Sequence, residues 1–147
     1  SVRRLAGLAH QAELGFVSDP HTGGLHLPVF EFLDAGLSVA LGQDDLEDAY
    51  YPFGRHNMLE VGFLAAHLLG AMSDSALDRI YDSITTTAAR VLGVAGHVLE
   101  PGGNADLVVL EGSTVRHALA RHAPPAYVVH NGVLVAETTT STTLNRP

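Results

Sequence analysis

The sequence predicts an α/β fold over residues 1–92, followed by a small β unit over 93–137 and a polar tail over 138–147. Three observations predict it. Helix-like and strand-like stretches alternate through the first part at the spacing of a parallel sheet. From Gly93 onward, Gly96, Pro101, Gly102, Gly103 and Gly112 punctuate short β-branched runs. Between the two textures lies LSVALGQDDLEDAYYPFG, residues 37–54, a short apolar strand running into an acidic, aromatic loop.

The elements follow in order. Residues 2–14 predict an amphipathic helix with Val2, Leu5, Leu8 and Ala12 on one side, ended by Gly15. Phe16-Val17-Ser18 is a short strand. Asp19 to Pro28 is a loop dense in turn residues. Pro28 opens a short helix, Val29 to Ala35, and Gly36 ends it. The strand at 37–41 is apolar or small on both faces, which suits burial from both sides. Asn57 to Leu69 predicts a strong helix, capped by Asn57 with Glu60 as a capping-box partner. It is apolar all round and is placed between layers. A second long helix runs from about Ser75 to Leu92, capped by Asp74 or Ser73. Thr85-Thr86-Thr87 is expected to break or fray it.

In the β unit, Ala105 to Leu110 is a strand, and Ser113 can cap a short helix to about Ala120. Tyr127 to His130 and Val133 to Ala136 form a hairpin around Asn131-Gly132. Only two strands fall in the first part. Two parallel strands do not make a sheet buried on both faces, so further strands are expected upstream of Ser1 or from another chain.

Composition excludes several classes of function. The chain has 147 residues, 46% of them hydrophobic, enough for one ordinary domain with a core. Eight Lys and Arg against sixteen Asp and Glu give a net charge of −8, which argues against nucleic acid or an anionic membrane as partner. Without cysteine there are no disulfides and no thiolate metal sites, and the Cys-containing zinc deaminase signature is excluded. No apolar run is long enough for a membrane span, and no signal-peptide pattern opens the chain, so a cytoplasmic location is expected.

Asp44 and Asp45 stand just past the end of the 37–41 strand. In a parallel α/β sheet that end gathers catalytic groups. A carboxylate there suits zinc or ferrous iron and can take a proton from metal-bound water. A polar turn or helix cap also explains the pair. None of the nine histidines shows HxH or HExxH spacing. His21 and His26 are placed to face the same strand ends, His67 reads as a core residue, and His97, His117, His122 and His130 lie in the β unit, away from them. Tyr50-Tyr51-Pro52-Phe53-Gly54 can wall a pocket for a flat ring or pack the loop on the next helix. Arg55 and Asn57 are then structural.

The run GQDDLEDAYYPFGRHNMLEVGFLAAHL resembles the cytosine deaminase branch of the amidohydrolase superfamily, where a G-[HQ]-D-D-x-x-D-x-[WY]-Y-P-x-G pattern follows barrel strand eight. VRRLAGLAHQAELGFVSDP resembles the helix and strand before it. TTTAARVLGVAGHVLEPGGNADLVVLE and VVHNGVLVA resemble the superfamily's closing β-sandwich strands and last hairpin.

The resemblance implies the C-terminal part of a (β/α)8 TIM barrel, incomplete here, followed by a β-sandwich segment. It implies hydrolytic deamination of a cytosine-like, nucleobase-like ring, and a divalent metal, zinc or iron. Asp44 matches the aspartate that binds that metal and shuttles a proton. Asp45 matches the adjacent acid beside the substrate, and Tyr50 an aromatic bordering the pocket. The pattern's HxH pair and remaining histidine ligands are not in this chain and are expected upstream of Ser1, so the isolated chain is expected to be inactive. Whole, the protein is expected to be a homo-oligomer. A related ring, such as a triazine, stays open as substrate, as does a non-catalytic interaction module.

Overall fold

The computed structural model describes residues 2–21, 26–44 and 46–145. Among the described residues eleven elements follow in order: α1 Val2–Gln11, β1 Phe16–Ser18, α2 Val29–Asp34, β2 Val39–Leu41, α3 Met58–Leu68, α4 Asp74–Ser83, α5 Thr86–Val91, β3 Leu107–Val109, α6 Val115–Arg121, β4 Tyr127–His130 and β5 Val133–Glu137. β1 and β2 pair in parallel, Phe16 opposite Val39 and Ser18 opposite Leu41. With α2 as the crossover, this is the βαβ step the alternation predicts. β3, β4 and β5 form a separate antiparallel sheet in that order. Asn131 and Gly132 turn the β4–β5 hairpin at positive φ, 48° and 76°, as a two-residue Asn-Gly turn requires.

Helix α1 stops earlier than its pattern predicts. It ends at Gln11, and Glu13, not Gly15, takes the left-handed conformation, at φ 52°. Leu14 N–H reaches back to Ala9 O at 2.9 Å and Glu13 N–H to His10 O at 3.3 Å, the paired bonds of a Schellman end. Gly15 serves closeness instead, since a Cβ there would stand 2.9 Å from Val91 Cγ2. The long helix breaks at the threonines as expected: α4 ends at Ser83, Thr85 sits at φ −130°, ψ −100°, and α5 begins at Thr86. Two back-bonds loosen that region, Ser83 Oγ to Arg79 O at 3.0 Å and Thr85 Oγ1 to Tyr81 O at 2.8 Å.

The core lies around β2, where all three residues are buried. Val29, Val39, Val61 and Ile80 are its largest fully buried apolar side chains. Phe16 meets Phe32 edge-on at 5.1 Å and fixes α2 on β1. Helix α3 does lie between layers: it packs on β2, α4 and α6. Gly62 allows the closest approach, because a Cβ there would fall 2.7 Å from Leu119 Cδ2. Asn57 caps α3 through Leu59 N–H at 3.0 Å. The expected return bond from Glu60 does not form among the described residues; Glu60 turns to Arg55 Nε at 3.5 Å instead.

The later residues do not form a wholly separate body. Ala118 and Leu119 of α6 belong to the same core as β2, and Arg116 holds Asp74 at 2.7 Å and Met72 O at 3.0 Å. Thr114, not Ser113, caps α6, accepting His117 N–H at 3.1 Å, because Thr114 holds the extended backbone an N-cap needs. His67, expected in the core, is exposed; its Nδ1–H bonds Phe63 O at 2.9 Å within its own helix.

Candidate active site

Parallel pairing brings the C-terminal ends of β1 and β2 to one edge. Gly42 N–H donates to Ser18 O at 3.0 Å and continues the pairing past both strands. Asp19 and Asp44 follow directly. Asp19 Oδ1 accepts His21 N–H at 2.8 Å and the His21 Nδ1–H at 3.1 Å, while its Oδ2 faces Asp44 N–H at 3.3 Å. His26 Nδ1–H bonds Asp19 O at 3.2 Å. The His21 side chain is wholly buried, and its Nε2 has no hydrogen-bond partner among the described residues. Asp44 is exposed.

The aromatic loop folds back beside these residues. Asp48 Oδ1 accepts the N–H groups of both Tyr50 and Tyr51, at 2.8 and 2.9 Å, an Asx-type turn. Tyr51 meets His21 edge-on at 5.2 Å and Phe53 at 5.6 Å. Gly54, at φ 108°, lets the loop close: a Cβ there would stand 2.6 Å from Leu46 Cδ2 and 2.8 Å from Gln43 Nε2. Tyr50 is 86% exposed.

The structure thus gathers Asp44, Asp19, His21, His26 and Tyr51 at one edge. Sequence reasoning placed Asp44, His21 and His26 there but passed over Asp19 and Asp48. A signal existed for both: an aspartate one residue past a strand, and an aspartate two residues before an aromatic pair, are both placed to accept backbone N–H groups. Asp45 lies outside the described residues, as do residues 22–25 of the loop after β1. Arg55 and Asn57 do serve structure: both donate to His122 O, at 3.3 and 2.9 Å, tying α3 to the end of α6. A hollow of about 500 Å³ between α3, α4 and β3–β4 is lined by His56, His97 and Val108 but not by Asp44.

The donors test the fit of a metal. Asp44 offers an exposed carboxylate oxygen at the end of a rigid strand, which suits one ligand position for zinc or iron. Among the described residues no three His, Asp or Glu side chains converge to hold an ion. The chain fits as the contributor of one ligand, not of a whole site.

A family model described as the amidohydrolase family matches residues 1–136. The chain belongs to the amidohydrolase family. N-isopropylammelide isopropyl amidohydrolase of Pseudomonas sp. (strain ADP) is 31% identical over 123 residues, covering 83% of this chain and 30% of that protein. The crystal structure of N-isopropylammelide isopropylaminohydrolase from Burkholderia multivorans superposes with a TM-score of 0.87 at 27% identity, over 92% of this chain and 35% of that one. That of 5-methylcytosine deaminase from Klebsiella pneumoniae gives 0.84 at 24% identity, over 97% and 38%. The chain spans about a third of the length of these amidohydrolases, and its mixed α/β fold is consistent with part of a barrel. Closure of the sheet is not seen among the described residues. No helix among them is long and apolar enough to cross a membrane.

Proposed function

We propose that the whole protein is a metal-dependent hydrolase that cleaves a C–N bond on a cytosine-like ring and releases ammonia. The observation that carries this is Asp44, an exposed carboxylate just past a buried strand and beside a loop whose aromatic rings meet edge-on. Zinc or iron, when bound, would supply an activated water at neutral pH. Asp44 would be one of its ligands, and its carboxylate would carry a proton from the attacking water to the ring. Tyr51 and Phe53 brace the loop that would exclude water, with Tyr50 at the rim and Asp45 as the substrate's polar contact. The remaining ligands would come from residues outside this chain. A nucleobase-like small molecule is the proposed partner, and a homo-oligomer the proposed assembly.

A second reading, a triazine ring, is favoured by the 31% identity to the N-isopropylammelide enzyme of Pseudomonas. Product analysis separates the two: cytosine releases ammonia, whereas an N-alkylated triazine releases an alkylamine. Asp44→Ala in the whole protein is expected to lose bound metal and to lower kcat by at least about 10²-fold. Metal content and turnover unchanged in that variant would remove Asp44 from the mechanism.

A further inference from the structure

We propose that Asp19 is a positioning residue for Asp44, with His21 and Tyr51 holding Asp19 in register. The inference deepens the deaminase reading and rests on it for the role of Asp44. Two segments 25 residues apart meet through this one carboxylate. Its Oδ1 is taken by its own loop, through His21 N–H and Nδ1–H. Its Oδ2 is thereby turned across the strand ends to Asp44 N–H at 3.3 Å. His21 is in turn buried with its ring edge-on to Tyr51. The aromatic loop after β2 therefore steadies the acid after β1, and that acid steadies the backbone of Asp44.

The residue types fit the task. Among the described residues three N–H donors converge on Asp19, and both of its oxygens accept. An asparagine would present an amide NH2 to one of those donors and lose that contact. A phenylalanine at position 21 would keep the packing on Tyr51 but give Asp19 no Nδ1–H, so Oδ1 would keep the His21 backbone N–H and lose the side-chain contact that sets its rotation toward Asp44. Groups that orient a metal ligand from behind typically change affinity or activity 10–100-fold when removed.

The test uses the whole protein and the variants Asp19→Asn and His21→Phe. Three quantities are read: metal affinity by chelator competition, the split between kcat and KM, and amide exchange of the peptide carrying residues 42–44. Asp19→Asn is expected to weaken metal binding and kcat by about 10–100-fold, with KM held within about 3-fold, and to speed exchange at Asp44. His21→Phe is expected to move all three the same way by less. Metal affinity, kcat and exchange all within about 2-fold of the wild type in folded Asp19→Asn would overturn the proposal. So would a kcat loss matched by KM with unchanged exchange. Should the wild type bind no metal and release no ammonia, the deaminase reading fails; faster Asp44 exchange in Asp19→Asn would still support the contact, and unchanged exchange would overturn it.

Discussion

Strands β2 and β5 carry similar residues, Val39-Ala40-Leu41 and Val133-Leu134-Val135-Ala136, yet all of β2 is buried and all of β5 is exposed. β2 is packed by α2, α3, α4 and α5. β5 has β4 along one edge, and among the described residues no helix packs on it. Strand composition therefore sets what a segment can bury, and the surrounding helices decide whether it does. An apolar strand with an open edge is also a template for association.

The largest expected effect tests that contrast directly. Ile80 of α4 is fully buried, so Ile80→Ala should cost about 2–5 kcal/mol of stability. Leu134→Ala in β5, 53% exposed, should cost about 0.5 kcal/mol or less. Urea unfolding of the two variants measures both. Equal losses would break the comparison and mean that β5 is covered in solution.

A smaller effect probes the seam between the regions. Asn57 both caps α3 and donates to His122 O at 2.9 Å. Asn57→Ala should cost about 1–2 kcal/mol. Asn57→Asp keeps the cap oxygen but loses the donor, so it isolates the tie to α6, at about 1 kcal/mol. If Asn57→Asp is neutral in urea unfolding, this tie contributes nothing and α6 is held by its packing and by the Arg55 and Arg116 contacts.

Local chemistry was legible in the sequence wherever it decided the outcome. The Asn131-Gly132 turn, the Asn57 cap and the break at Thr85 all rest on preferences of one or two residues. The misread points were settled by tertiary structure. Glu13 replaced Gly15 at the end of α1 because Gly15 was needed against Val91. Glu60 was drawn to Arg55 and away from its cap. At the site, Asp44 was legible from its place after a strand. Asp19 carried the same signal, but its pairing with Asp44 was not legible, because the two lie 25 residues apart and only parallel register brings them together.

The smallest effect concerns how the exposed sheet is held. In place of a core, the β4–β5 turn has a polar clip: Asp106 Oδ1 accepts Asn131 N–H at 2.9 Å and pairs with His130 Nδ1 at 2.7 Å. The backbone bond from Asn131, with smaller help from His130, holds the Asp106 carboxyl below its ordinary value of 3.8. A carboxylate with a lowered folded pKa stabilises above its unfolded value and loses that contribution as pH falls through the folded one. Amide protection at Asn131 and Gly132 should therefore fall as pH drops below 3.8. Asp106→Asn keeps an acceptor for Asn131 but cannot titrate, so its hairpin protection should be flat across that window. The amides of β2, fixed by packing, should outlast those of the hairpin. Parallel loss in both sheets would mean that acid acts on the whole fold and that the clip has no separate role.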